Sequence, residues 1–293
     1  MMNCTVTDNK TGEVISNNFN IEELKDIERK IKFKEKMKLE NEFKEAQQEY
    51  LGYFVFFIFE HIEDLNKILS DSDLVRFLYL GTYTKSDGLL KFDNGLSLTK
   101  KHIKKILKIK DEAFRLFWNI LMDNELILEK DEMIYINLFY FYRGKEKDYY
   151  KYMNTKFGDK FTRLYIKTTR NLYENTNSRR IKKLAIIYKL LPFVNWQTNI
   201  LCKNPSETNK NKIEPLTILD ISNYCDYDKT HLARFRKELH EFKYNNNDIF
   251  MRIGKGIDIN YDYIVVNPLF YYRGNNINEL NYLLILFHLK EPQ

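Results

Sequence analysis

A chain of 293 residues exceeds what one hydrophobic core ordinarily organises, so its length points to about two domains. With 44% hydrophobic and 30% charged residues, 21 Tyr and 21 Phe but only 10 Gly and 5 Pro, the composition excludes a disordered, collagenous or turn-dominated chain. The formal charge of +6 and pI near 8.9 are mildly basic and select no partner until the positions of the charges are read.

Residues 1–20 are polar and carry no apolar stretch of signal-peptide type. The longest apolar runs, Tyr53–Phe59 and Tyr282–Leu289, fall far short of the roughly 20 residues of a membrane span. Cys4, Cys202 and Cys225 are odd in number and form no close pair, which predicts a reducing, cytoplasmic setting. From Ile21 to Glu49 more than half the residues are charged, with both signs interleaved and no Gly or Pro. Ile21, Leu24, Ile27 and Ile31 keep a helical spacing that then thins, predicting a long solvated helix rather than a coiled-coil arm. The run Tyr53–Phe59 predicts an apolar helix packed on the domain that follows.

A repeated phrase organises the rest. IYINLFYFYRG (134–144) and IVVNPLFYYRG (264–274) share Ile134/Ile264, Asn137/Asn267, Tyr142/Tyr272, Arg143/Arg273 and Gly144/Gly274 at a spacing of 130. Upstream, Leu98-Thr99, Ile103, Phe117 and Leu121 recur at a spacing of 118 as Leu216-Thr217, Ile221, Phe235 and Leu239. The second copy therefore carries a 12-residue insertion before its closing phrase.

Each copy reads as three helices, A, B and C, followed by a hairpin. In copy one, A covers about 72–83, B about 99–107 and C about 112–123, with Asp111 as the cap of C. Phe114, Phe117, Trp118 and Leu121 form the buried stripe of C, and 126–136 alternates around a charged turn as a hairpin. In copy two, A covers about 179–191 and ends at Pro192, B about 217–225 and C about 229–242 behind Asp228. A longer hairpin, 249–267, bends at Gly254 and Gly256. This order is the winged helix-turn-helix plan. The expected architecture is mainly α with small β-hairpins (α+β), in four parts. These are a polar tail and charged helix (1–50), a first winged domain (51–144), a basic helical connector (145–178) and a second winged domain (179–293). The two winged domains are expected to fold separately.

Catalytic motifs are missing. There is no phosphate-binding Gly-x-x-x-x-Gly-Lys, no Gly-x-Gly-x-x-Gly after a strand, and no His-Glu-x-x-His or His-x-His. Cys202, Cys225, His231 and His240 lack the paired spacing of zinc ligands, so neither a metal nor another cofactor is expected. The chemistry that is present is cationic. In a winged helix-turn-helix the second helix of the motif enters the major groove. With Leu232, Phe235 and Leu239 inward, helix C of copy two leaves Lys229, Thr230, His231, Arg234 and Lys237 outside, and its hairpin carries Arg252 and Lys255. Arg suits a guanine edge and Lys a phosphate. Copy one offers Lys110, Arg115 and Asn119 on helix C and Lys100, Lys101, Lys104, Lys105 and Lys108 on and after helix B. Its hairpin is acidic, at Glu125, Glu129, Asp131 and Glu132, and repels phosphate, so copy one is expected to hold the backbone through its helix B lysines or to serve in protein contacts. Cations between 145 and 183, Arg163 and Arg170 among them, are expected to face a duplex between the domains.

The closing phrase VNPLFYYRG (266–274) behind a helix-turn-helix and wing resembles the C-terminal part of the RepL-type plasmid replication proteins of Firmicutes and related winged-helix proteins of their phages. KTGEVI (10–15) resembles the opening of such proteins. The resemblance covers about 180–275 and more faintly 74–144, while the duplication and the charged helix depart from the short family members. It implies double-stranded DNA binding in a bacterial mobile element, more narrowly the initiation of replication at origin repeats with host replication proteins as partners. A transcription regulator of the same element and a protein-binding scaffold are the alternatives.

Overall fold

In the computed structural model, residues 3–145, 148–149, 160–244, 246–254 and 263–290 are described. Helices and small antiparallel sheets are mixed along the chain. An N-terminal hairpin, β1 (Asn3–Thr7) and β2 (Val14–Asn20), runs directly into the 26-residue α1 (Ile21–Ala46). Every residue of α1 from Lys25 to Leu39 is exposed, whereas Phe43 and Ala46 near its end are buried. A wider turn, Gln47–Leu51, closes the helix at Gly52, whose φ of 81° belongs to the left-handed region that glycine enters without strain.

The run expected as an apolar helix is instead a strand, β3 (Phe54–Ile58). A short apolar run has no periodicity to separate strand from buried helix, and its aromatic and β-branched side chains favour the pleated form. Then follow α2 (Ile62–Ile68), α3 (Asp71–Gly81), α4 (Lys100–Leu107) and α5 (Asp111–Asp123). Hairpin β4 (Ile127–Lys130) and β5 (Met133–Ile136) turns on Asp131 and Glu132, both at positive φ as a two-residue hairpin turn requires. Next come β6 (Phe141–Tyr142) and, from the segment expected as a connector, β7 (Phe161–Tyr165) and α6 (Ile166–Asn175). β3 lies between β6 and β7, antiparallel to both, so the segments before and after copy one close on its final phrase.

Helix A of copy two is not one α-helix. A 3-10 stretch, Ser178–Leu184, precedes the short α7 (Ala185–Lys189), and a second 3-10 turn at Leu191–Phe193 carries Pro192. Beyond it lie α8 (Ile218–Tyr224), a 3-10 turn Lys229–His231 and α9 (Leu232–Glu241). Two hairpins follow, β8 (Lys243–Tyr244) with β9 (Asn247–Asp248) and β10 (Phe250–Ile253) with β11 (Tyr263–Val266), and α10 (Ile277–Leu286) ends the described fold.

The copies share the pattern of bridges that links helix A, the hairpin and helix B. After helix A, an extended segment bridges to the hairpin and to the residues before helix B. The bridges are Thr84↔Leu90, Leu89↔Tyr135 and Lys91↔Ser97 in copy one, and Val194↔Leu201, Ile200↔Val265 and Cys202↔Pro215 in copy two. The turn in that segment takes positive φ at Gly88 and at Asn199, a residue type that enters this region more readily than most. The backbone NH groups of Ile136 and Val266 donate to their carbonyls at 2.8 and 2.9 Å.

The largest cluster of buried apolar side chains runs from Val55 through both copies to Tyr271. α3 is its centre, with Leu74, Val75, Phe77, Leu78, Tyr79 and Leu80 all buried, and it packs on the 3-10 stretch and α7 of copy two. A second cluster joins Phe43, Ala46 and Leu51 to Tyr165, Val265, Tyr272 and Leu280, Leu283, Leu284 and Phe287 around α10.

Two outcomes follow from this packing. A Cβ on Gly81 would fall 2.2 Å from a ring carbon of Phe141, which is fully buried. Helix propensity alone would make Gly81→Ala stabilising by about 1 kcal/mol, but overpacking costs about 1–3 kcal/mol. Net destabilisation is expected in urea unfolding, and an increase in stability would refute the close approach. A fragment starting at residue 175 loses α3, so Ile181, Leu184 and Ile187 become solvent-exposed. It is expected to unfold without a cooperative thermal transition while the whole chain shows one, as followed by circular dichroism.

Candidate nucleic-acid interface

Each copy presents a helix–turn–helix built in the same way. Thr99 and Thr217 begin the first helices, α4 and α8, with reciprocal caps. Thr99 Oγ1 accepts from the His102 NH and its own NH donates to His102 Nδ1, while Thr217 makes the same exchange with Asp220. Ile103 and Ile221 bury the inner faces of these helices. The turns pass through Lys108 and Asp226, both at φ 53° and 118 residues apart like the flanking identities. The second helices, α5 and α9, bury Phe117 and Leu121, and Phe235 and Leu239, so their opposite faces are left in solvent.

On α9 and the turn before it, Lys229, Thr230, His231, Arg234 and Lys237 are all exposed. Asp228 caps this 3-10 turn rather than the helix expected behind it, accepting from the backbone NH and hydroxyl of Thr230 at 2.9 and 2.8 Å, while α9 itself begins after His231 without a side-chain cap. Those bonds hold the Asp228 carboxyl below the usual carboxylate range. Arg234 Nε donates to Glu238 at 3.1 Å, and Lys183 reaches the same carboxylate at 3.1 Å. Lys237 stands 4.0 Å from Glu241. Arg252 is exposed on β10, and Lys255 lies outside the described residues.

Copy one distributes its cations differently. Lys100 lies over the Trp118 ring at 4.7 Å, and Lys101, Lys105 and Lys110 are exposed with no ion pair among the described residues. Lys104 is half-buried and pairs with Asp111, tying α4 to the start of α5. Asp111 is thus the first helical residue and Lys110 occupies the cap position without a side-chain bond, correcting the expected capping role of Asp111. Arg115 is held by both oxygens of Glu112 at 2.8 and 3.2 Å, while Asn119 is exposed. The hairpin acids Glu125, Glu129, Asp131 and Glu132 are all exposed.

No protein-family model matches the chain, and no curated protein or solved structure matches it either.

Several cations expected to face a duplex have structural partners instead. Arg163 Nη1 donates to the carbonyls of Tyr272 and Gly274 at 3.2 and 2.8 Å, with its guanidinium near the Phe43 and Phe54 rings. Arg170 bonds the hydroxyl and carbonyl of Thr82, pairs with Asp93 at 2.7 Å and stacks on Tyr83 at 3.8 Å. Spacing along the chain cannot distinguish such buried-end arginines from solvated ones, because their acceptors lie far off in sequence. The reciprocal caps were legible as Thr followed three residues later by His102 or Asp220. Among the described residues no group of three or more His, Cys, Asp or Glu could hold a metal ion. Cys202 and Cys225 are buried free thiols, pushed up by burial to about 11 and about 12, while His231 and His240 are exposed. No described residues form a membrane-spanning helix: none of the helices is long and apolar enough.

Glu238 is the electrostatic hub of α9. Partial burial would raise its pKa, but hydrogen bonds from Lys183 and Arg234 outweigh that and leave it depressed. A depressed carboxylate contributes stability that is present above the unfolded pKa and lost as pH falls through the folded one. Urea titrations from neutral pH down past the ordinary Glu range should therefore show less acid loss for Glu238→Gln than for the wild type. Parallel curves would remove the hub role.

Proposed function

We propose that the chain is a non-catalytic, double-stranded DNA-binding protein of a bacterial plasmid or phage, and that its two helix–turn–helix and hairpin units act as winged domains. The observation that carries this reading is the recurrence of one unit: capped helix, left-handed turn residue, second helix and hairpin, each time with the outer face of the second helix unpacked. A helix entering the major groove needs that free face.

The two units have unlike roles. Copy two presents Lys229, Thr230, His231 and Arg234 at the start of α9, with Arg252 on the adjacent hairpin, and reads sequence. Arg234 exchanges the Glu238 carboxylate for a base edge when DNA arrives. Copy one supplies the phosphate contacts through Lys101, Lys105 and Lys110, while its acidic hairpin stays clear of the backbone. Occupancy of origin repeats followed by recruitment of host replication proteins is the specific role, supported by the resemblance of the closing phrase.

The test is binding to duplexes recovered by immunoprecipitation and sequencing, compared with scrambled versions. Arg234→Ala should cost roughly 1–3 kcal/mol on the recovered duplex and relax discrimination at one base position. Lys101→Ala should weaken both duplexes alike and lower the log–log salt slope by about 0.9. Affinity independent of salt would favour a protein-binding scaffold, and a preference lost in Arg115→Ala but kept in Arg234→Ala would make copy one the reader.

A further inference from the structure

The projecting half of α1 belongs to neither unit. From Lys25 to Leu39 it touches no other described part of the chain closely enough to be covered, and it extends about 22 Å at 1.5 Å per residue. Within it, Arg29–Lys38 holds six cations and one carboxylate. Arg29 is engaged by Asp26 at 3.2 Å, and Lys36 and Lys38 approach Glu40 and Glu42 at 3.9 Å. Lys30, Lys32 and Lys34 make no ion pair among the described residues. Like charges at i, i+4, as in Lys30–Lys34 and Lys34–Lys38, destabilise a helix unless something neutralises them.

The apolar side chains decide between partners. Ile27, Ile31, Phe33, Met37 and Leu39 are 43%, 51%, 63%, 38% and 51% exposed. At about 100° per residue, Ile27 and Ile31 share one side, Phe33 and Met37 lie about 120° away, and Leu39 falls on the third side. No continuous apolar face exists, so neither a coiled-coil seam nor a membrane-surface helix is served. The cations are spread around the helix in the same way, so whichever side is presented carries positive charge. A rod of this kind complements a uniform polyanion, and duplex DNA offers one charge per about 1.7 Å of its axis.

We infer that the exposed half of α1 is an additional, sequence-independent DNA-binding surface that lies along the phosphate backbone beyond the duplex held by the two helix–turn–helix units. The inference rests on the DNA-binding reading above. It makes the charged helix a working arm that lengthens the footprint and raises the salt dependence of binding.

The full chain and the variant Lys30→Ala/Lys32→Ala/Lys34→Ala are compared on mixed-sequence duplexes of about 20 and about 40 base pairs across a salt series. Alanine favours helix, and unchanged circular dichroism checks that α1 persists. The wild type should gain affinity on the longer duplex beyond the number of added sites. The variant should lose that gain, weaken by about tenfold or more at low salt, and show a slope smaller by about 2–3. An unchanged slope and affinity in the variant, beside a wild type that binds DNA, overturns the arm and leaves the helix–turn–helix reading standing. A wild type that binds neither duplex overturns both. Binding to phosphatidylserine vesicles that the substitutions abolish, with DNA affinity unaltered, overturns it in favour of a membrane surface.

Discussion

The structure depends on α3 having no face to give to water. Its apolar residues run through consecutive positions, Leu74, Val75, Phe77, Leu78, Tyr79 and Leu80, so an amphipathic resting place on one copy would leave several of them exposed. Each such side chain contributes about 1.5–3 kcal/mol when fully buried. Both copies therefore close on this one helix. Polar groups on its surface find internal partners: Tyr79 hydroxyl donates to Glu174 at 2.8 Å and lies 3.0 Å from the Tyr83 hydroxyl, and its ring stacks on Tyr173 at 4.1 Å. Burial pushes Tyr79 well above the ordinary tyrosine range and Tyr173 up to about 12, so both remain neutral spacers.

The same packing ties the helix–turn–helix of copy two to copy one. Lys189, only 8% exposed, contacts Asp71 at the start of α3 at 2.8 Å and Asp226 at 3.0 Å. Burial opposes its charge, but the two carboxylates outweigh that and raise its pKa. Asp226 is the left-handed residue in the turn between α8 and α9. That turn is thus held by Lys189 of the same copy and tied through it to Asp71 of copy one.

The repeated closing phrase is structural in both copies. Asn137 Nδ2 donates to the Glu125 carbonyl and Oδ1 accepts from the Phe139 NH, and Asn267 does the same with Asp248 and Leu269, all within 2.9–3.0 Å. An Asn at this point ends the hairpin by satisfying the backbone where the strand turns away. Gly144 and Gly274 lie so close to the hydroxyls of Tyr142 and Tyr272 that a Cβ would come within 2.5 and 2.4 Å. Among the repeated identities, the Tyr–Gly pairs are thus positions where main chain and ring leave no room and the Asn residues satisfy the backbone, while the charges around them differ between the copies.

Local chemistry settled much of this protein before folding is considered. The 118- and 130-residue repeats, the apolar stripes at Phe117–Leu121 and Phe235–Leu239, and the hairpin on Asp131-Glu132 are all short-range patterns, and all are found where the pattern puts them. The outer faces of α5 and α9 were legible for the same reason, because a buried stripe defines its opposite side. What tertiary structure decided was whatever depends on distant partners. Phe54–Ile58 is a strand because Phe141–Tyr142 and Phe161–Tyr165 supply both its edges, a choice an unbroken apolar run does not encode. Lys104, Arg163 and Arg170 read like free cations along the chain, yet Asp111, two carbonyls of copy two and Thr82 with Asp93 engage them. Periodicity reports which side of an element meets the core. Only the assembled chain determines which core that is, and which charges remain on its surface.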